Sequence, residues 1–277
     1  MALLDSRKHI VSAANKDLIY DAEVRQMIEA GKITDVGHDY QPDYEALVHS
    51  RPDILFTDGE NTGSSQMIGK LKSLGIHIVA SRDYFEQEPL ARAEWIKFFG
   101  AFMDKEQVAD SIFDLVKTNY LAVKATADNQ KKRPTVFCNL PYNGVWYMPC
   151  GQNYAAKIIT DAGGDFLWQN EKPINGLNLT LTFEEVYGKA AHADYWINQN
   201  TLTSRAQLLG TDPKFELFDA VRKDHIYNGT KRRTKGGGMD IWETGAFLPD
   251  LVLKDLSTIF HGSGDQPMNL YYYQQLK

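Results

Sequence analysis

Residues 43–57 read Asp43-Tyr44-Glu45-Ala46-Leu47-Val48-His49-Ser50-Arg51-Pro52-Asp53-Ile54-Leu55-Phe56-Thr57, and the fold is decided there. Asp43 is a good N-cap, Leu47 gives the short helix an apolar contact, and Pro52 forces the chain out of helical geometry. The apolar run Ile54-Leu55-Phe56 then reads as a strand. The same shape returns as Thr182-Phe183-Glu184, then Val186, then Ala193-Asp194-Tyr195-Trp196-Ile197. Glu45 and Glu184 fall at the same place in the first turn, where a carboxylate complements the positive end of the helix dipole. First-turn glutamates are common in purely structural roles. Duplication of the whole unit is what points to two similar α/β lobes, each showing one acidic side chain. Glu185, three residues after the Thr182 cap, is placed to close a capping box.

Outward from these anchors, strands and helices alternate. A strand near His9–Ala14, a helix Ala22–Ala30, a strand Thr34–Gly37 and the Glu45 helix come first. A strand Asp53–Thr57, a helix Ser64–Leu74 and a strand His77–Ala80 follow. Short loops between alternating elements mark a parallel sheet covered by helices. From Pro89 to Asp128 the pattern turns to long helix, with Val108, Ile112, Leu115, Val116 and Val123 at helical spacing and Asp104 as a cap. After Pro134 the alternation restarts with a strand Thr135–Asn139, a loop from Pro141 to Pro149 and a helix Asn153–Ala162. The Glu184 helix, a strand Asp194–Asn198, two helices across Arg205–Arg222 and a strand His225–Tyr227 come next, then a last helix from Met239 to Phe260. Tyr271-Tyr272-Tyr273 is too aromatic for a free end and is expected to dock. The fold class is therefore α/β: two three-layer lobes with mainly parallel sheets, joined by a long backbone helix. The divisions are 1–86 for the first lobe, 87–130 for the helical connection and 131–277 for the second lobe with its terminal helix and tail.

A chain of 277 residues, 24% charged and 43% hydrophobic, has globular composition and room for two cores. No apolar run approaches a membrane span, and a net charge of −6 gives nucleic-acid binding no electrostatic support. Lys231-Arg232-Arg233 with Lys235 is the local exception. Cys138 lies in a β-like run, where a buried thiol is the simple reading, and a bridge to Cys150 is the alternative in an oxidising compartment. Two cysteines without an adjacent histidine make a poor zinc signature. Met1-Ala2-Leu3-Leu4-Asp5 has neither the basic nor the apolar region of an export signal. Ala2 to Ser6 followed by His9-Ile10-Val11 reads as the end of a helix running into a strand, as Ile158 to Leu167 does with its helix complete. The expectation is that a strand, half a helix and any signal lie upstream of residue 1.

These residues resemble the helical-backbone (class III, TroA-like) periplasmic substrate-binding proteins of ABC importers for ferric siderophores, haem and cobalamin. The resemblance is carried by Asp43-Tyr44-Glu45 through Arg51-Pro52-Asp53-Ile54-Leu55, by Lys72-Ser73-Leu74-Gly75-Ile76-His77-Ile78-Val79, by Ala155 through Gly164 and by Phe183-Glu184-Glu185-Val186. It covers nearly the whole chain, except that the family's first strand and most of its first helix are not matched. It implies a non-catalytic protein, periplasmic or an outward-facing lipoprotein, that takes an iron complex between its lobes and docks on a membrane permease. The family's docking glutamates fall on Glu45 and Glu184. Membrane association would then be peripheral, through the permease.

Ligand contacts are expected on loops leaving the C-terminal ends of the strands. Those loops carry His38-Asp39-Tyr40, Asp58-Gly59-Glu60-Asn61, Arg82-Asp83-Tyr84-Phe85, Tyr142 to Tyr147 and Asn198-Gln199-Asn200. Tyr84, Trp146, Tyr147 and Trp242 are the leading aromatic contacts, with Arg82 and Lys235 as cations toward an anionic ligand. Packing of each aromatic against its own lobe is the competing reading. Gly236-Gly237-Gly238, without a P-loop lysine-serine pattern, reads as a flexible bend. No catalytic or metal set is expected, since the histidines form no HExxH pair and no Gly-x-Ser-x-Gly elbow occurs. No cofactor is assigned, and His38 is the one histidine considered for haem. A ferric siderophore ranks first as ligand, cobalamin second and haem third. A cytoplasmic two-lobed α/β enzyme is the reading from a different class.

Overall fold

The structure, a computed structural model, describes residues 1–57, 65–172, 178–262 and 268–277. The chain divides into two α/β units whose main sheets are parallel. Unit 1 comprises Met1–Glu86, Lys97–Ala109 and Arg233–Met239; unit 2 comprises Gln87–Ile96, Asp110–Arg232 and Asp240–Lys277.

Unit 1 is built on capped helices and short strand pairs. Asp21 accepts from the amides of Glu23 and Val24 to start the helix Ala22–Glu29, and Asp43 accepts from Glu45 and Ala46 to start Tyr44–His49. Ser12–Ala13 pairs in parallel with Thr34–Asp35, and Leu55–Thr57 pairs in parallel with Ile78–Ala80. A hairpin, Gly37–His38 with Gln41–Pro42, stands apart from both. The helix Ser65–Ser73 contributes Leu71 to a core with Val36, Leu47 and Ile76. Strand expected from His9 onward begins only at Ser12, because Arg7–His9 form a 3-10 turn.

Two long helices, Pro89–Phe102 and Glu106–Asp128, run through residues of both units. Asp104, at φ 55°, takes the left-handed conformation that separates them. The close approach at this corner needs Gly100, since a Cβ there would stand 2.7 Å from that of the fully buried Ala109. Phe56 packs edge-on against Phe99 and Phe102, with ring centroids 5.4 and 5.2 Å apart, which ties a unit 1 strand to the first of these helices.

Unit 2 carries a five-stranded sheet in the order Asp165–Phe166, Thr135–Cys138, Tyr195–Ile197, Ile226–Asn228, Gln274–Gln275. The first four strands are parallel and the last is antiparallel. Its central strands are almost wholly buried, as expected for a parallel sheet covered on both faces. Phe137, Trp196, Phe215 and Phe218 form an aromatic core over one face, with Trp196 and Phe215 edge-to-face at 5.1 Å. Cys138 and Cys150 are both buried as separate thiols, so the bridge is not formed.

Two sequence expectations are corrected in this unit. Pro141 to Pro149 is not a loop: Pro141–Tyr142 and Val145–Pro149 form a hairpin, turned by Asn143 and Gly144 at φ 50° and 79°. Both central residues left-handed is the arrangement that matches strand twist in a two-residue hairpin. Asn178–Leu181 adds a third antiparallel strand to it. The last helix is also two, Asp240–Glu243 and Pro249–His261. Pro249 at the first turn of the second has no amide hydrogen to donate, so it starts a helix where it could not continue one.

Candidate functional site

The two duplicated glutamates occupy matching local settings. The amide of Glu45 donates to the Asp43 carboxylate at 3.0 Å, and Leu47 one turn on is buried in the unit 1 core. In unit 2, Thr182 Oγ1 accepts from the Glu185 amide at 3.2 Å while Glu185 Oε2 accepts from the Thr182 amide at 2.7 Å. This capping box consumes Glu185 and holds its carboxyl below the ordinary range through the hydrogen bonds from Thr182. Glu184 is left out of the box. Both Glu45 and Glu184 are exposed, and among the described residues neither side chain makes a hydrogen bond or ion pair. Each is an unsatisfied negative charge on a rigid, capped helix start.

The aromatic candidates separate by strand parity. Adjacent residues of a strand face opposite sides, and in Val145–Pro149 the inward positions are Trp146 and Met148. Trp146 is 0% exposed, lies 5.6 Å from Trp196 and donates its indole N–H to the Cys138 carbonyl at 2.9 Å. It is a core residue of unit 2, and its expected place on a ligand-facing loop is corrected. Trp146→Ala should cost about 3–5 kcal/mol in unfolding free energy, the range for truncating a large buried aromatic. Ligand affinity per folded molecule should be unchanged. Urea unfolding and a titration read the two separately, and an affinity loss without destabilisation would return Trp146 to the ligand.

Tyr147, next along the strand, is 44% exposed, and Trp242 in the short helix Asp240–Glu243 is 59% exposed. In unit 1, Tyr84 is 37% exposed on the 3-10 turn Asp83–Phe85, its ring 4.2 Å from Phe85. The Arg82 guanidinium lies 5.7 Å over the same Phe85 ring. Arg82, Tyr84 and Phe85 thus form one exposed aromatic and cationic patch. His38 and Tyr40 make a second, stacked at 5.2 Å on the unit 1 hairpin, with His38 Nδ1 3.3 Å from Asn15 Oδ1. Asp58 to Asn61 lie outside the described residues.

The basic cluster does not act as a cluster. Lys231 Nζ donates to the Leu270 carbonyl, and Arg232 pairs with buried Asp240 at 2.6 Å while lying 4.3 Å over the Tyr271 ring. Lys235 is exposed, and among the described residues its ammonium has no ion-pair partner. The adjoining glycines are a packing device where a flexible bend was expected. Thr234 Oγ1 donates to the Asp17 carbonyl at 2.8 Å, and a Cβ on Gly238 would overlap the Leu18 carbonyl oxygen. Gly238→Ala should destabilise by about 1–3 kcal/mol through this forced backbone shift. Gly188→Ala, in open space inside the helix Phe183–Ala190, should be neutral or stabilising by up to about 1 kcal/mol. Thermal unfolding of the two variants tests the contrast.

Comparison with known proteins bears on what such a site serves. A family model described as "Periplasmic binding protein" matches residues 3–232. A lipoprotein of Methanocaldococcus jannaschii, itself uncharacterized, is 30% identical over 246 residues, covering 87% of this chain and 56% of the relative. The chain thus spans little more than half the length of that relative. Among solved structures, a periplasmic heme binding protein from Pseudomonas aeruginosa matches with TM-score 0.71 at 16% identity, covering 100% of this chain and 93% of that one. A possible iron-binding periplasmic solute-binding protein from Staphylococcus epidermidis matches with TM-score 0.70 at 17% identity, covering 94% and 93%. At these identities the structural matches speak for the fold.

Proposed function

The chain belongs to the periplasmic binding protein family, and from that premise we propose that it is the substrate-binding component of an ABC-type importer that captures a ferric siderophore. The family match over residues 3–232 carries the substrate-binding part of this reading. The proposed role is capture and delivery, without a chemical step on the ligand. An outward-facing location, with attachment as a lipoprotein, is supported by the lipoprotein relative. Delivery requires a membrane permease, and Glu45 and Glu184 are the proposed contacts with it, as exposed charges whose local structure does not use them.

For the ligand, Tyr84 and Arg82 of unit 1 and Tyr147 and Trp242 of unit 2 are the proposed contacts, with Lys235 supplying charge. Exposed rings offer flat apolar area to the organic shell of a metal chelate, and the cations would offset the negative charge of an anionic chelate such as a ferric catecholate. Haem ranks third, and the stacked His38 and Tyr40 pair and the haem-binding structural neighbour are what support it. Cobalamin remains in the ranking between them as a ligand for the same aromatic surface.

Tryptophan fluorescence titrated with ferric hydroxamate, ferric catecholate, cobalamin and haem tests the assignment. Trp242 is the exposed indole, so saturable quenching by a ferric siderophore, lost in Trp242→Phe, is expected. Tight binding of cobalamin or haem with no response to either siderophore would overturn the iron-siderophore reading.

A further inference from the structure

At the amino-terminal edge of the unit 2 sheet lies a cavity of about 630 Å³. Pro134, Asp194 and His225, each the residue just before a parallel strand, form one side of it. The other side is the exit of the helix Glu106–Asp128, with Lys131 and Lys132, and the end of the helix Pro249–His261. All of these residues belong to unit 2. Tyr147, a proposed chelate contact, is tied to the opposite edge of the same sheet: its carbonyl accepts from the side chain of Asn139, just past Thr135–Cys138, at 2.9 Å. The cavity is therefore a separate place on the unit.

Its lining joins an aromatic surface to unengaged polar groups. Phe260 is buried, Tyr195 is half-buried 5.5 Å from it, and the His225 ring stacks on Tyr195 at 4.9 Å. His225 Nδ1 lies 3.1 Å from the Asp194 carbonyl, and His261 Nε2 lies 3.2 Å from that of Ala162. A carbonyl only accepts, so each ring carries its proton there. Its other nitrogen has no partner among the described residues, and it takes up a proton more readily beside an anion. The Tyr195 hydroxyl and the ammoniums of Lys131 and Lys132 also have no partner among the described residues. Asp194, the carboxylate among the described lining residues, is already engaged: its Oδ2 accepts from the Thr135 amide at 2.9 Å and hydroxyl at 3.0 Å.

The internal repeat separates what the fold needs from what the cavity adds. Trp196 donates to the His225 carbonyl as Leu55 donates to that of His77. His77 thus stands at the place of His225, Asp53 at that of Asp194 and Ile54 at that of Tyr195. Aspartate and histidine are common to both units, whereas the phenol ring is unit 2's own.

We propose that this cavity binds a ring-bearing organic anion, its carboxylate or phosphate set against Lys131 and Lys132 and its ring against Tyr195 and Phe260. The volume falls within the roughly 300–1,000 Å³ of small-molecule sites, which are mostly apolar with a few placed polar groups. A helix end by itself accounts for a nearby lysine, because cations complement its dipole, but it gives no reason for an accessible phenol ring beside two lysines. Flat apolar area next to unpaired positive charge is what an aromatic anion requires.

Equilibrium dialysis of the protein against naphthoate, naphthyl phosphate and the neutral naphthalenemethanol tests this. One anion should be retained per chain, with the alcohol at least ten-fold weaker, and the two anions compared decide between carboxylate and phosphate. Replacing the exposed pair, Lys131→Gln with Lys132→Gln, should weaken anion binding at least ten-fold. Tyr195→Ile, which installs the residue found at this place in unit 1, should weaken all three probes. Retention of ferric chelates should be the same in the lysine variant as in the unaltered protein, whatever that retention is, so the outcome is independent of the siderophore assignment. No saturable retention of either anion, an alcohol held as tightly as the anions, or anion binding indifferent to the lysine pair would overturn the proposal.

Discussion

Reversing both charges, Glu45→Lys with Glu184→Lys, is expected to abolish ligand import in cells while leaving the affinity of the purified protein for its ligand within about two-fold, since charges at a docking rim govern association with the partner and not the ligand contacts. The separation follows from where the two residues stand. Each side chain projects from a helix start whose cap is made by other residues, Asp43 in one unit and Thr182 with Glu185 in the other, so the helix survives the change. A lysine in the first turn opposes the helix dipole by a few tenths of a kcal/mol, too little to unfold either unit. At the proposed permease contact, by contrast, a like charge set against a cationic partner would cost several kcal/mol per site. Import assays with the single and double variants, alongside a binding titration, read both quantities. Loss of ligand affinity in the double variant would make these pocket or structural residues instead.

The second large effect concerns stability. Asp255 is buried in the helix Pro249–His261, and its carboxylate accepts from the amides of Tyr271, Tyr272 and Tyr273 at 2.8, 2.7 and 3.0 Å. Burial lifts its carboxyl above the ordinary range, against the pull of those amides and of Lys231. The clamp places Gln274–Gln275 against Ile226–Asn228 and buries Tyr272, Tyr273 and Leu276. Asp255→Ala removes the acceptor for three main-chain donors at once. At about 1–3 kcal/mol for each donor left without a partner, the expected loss is about 3–5 kcal/mol after relaxation of the tail. That is about a fifth or more of the roughly 5–15 kcal/mol that stabilises an ordinary domain, so urea midpoints should fall steeply. A change below about 1 kcal/mol would show that the tail is held by its side chains, the Tyr273 hydroxyl to Asn198 at 2.7 Å among them.

What was legible in the sequence were the features written locally. The Asp43 and Thr182 caps, the buried Leu47 and Val186 that follow them and the strands after Pro52 and Ala193 are each encoded within a few residues, and all form as read. The docked Tyr271 to Tyr273 tail was legible from composition alone. Asn143-Gly144 is a hairpin signal set between apolar runs, and it accounts for the hairpin formed where a loop is expected from Pro141 to Pro149. Parity within that strand would then have sent Trp146 inward and Tyr147 outward. The basic run at Lys231 to Lys235 was beyond local reading, because the groups that engage it, Asp240, Leu270 and Tyr271, arrive through tertiary packing. The packing of the glycines after it is beyond local reading for the same reason: Gly238 fits beneath the Leu18 carbonyl, a neighbour from the other end of the chain.

The proposed function, capture of a ferric siderophore that is handed on unaltered, is tested most directly by equilibrium dialysis against ferric hydroxamate and ferric catecholate, with mass spectrometry of the released ligand. The account predicts one chelate bound per chain and recovered chemically unchanged, with binding weakened at least ten-fold when Tyr84, Tyr147 and Trp242 are replaced together by alanine. No retention of either chelate, or recovery of a chemically altered one, would contradict it.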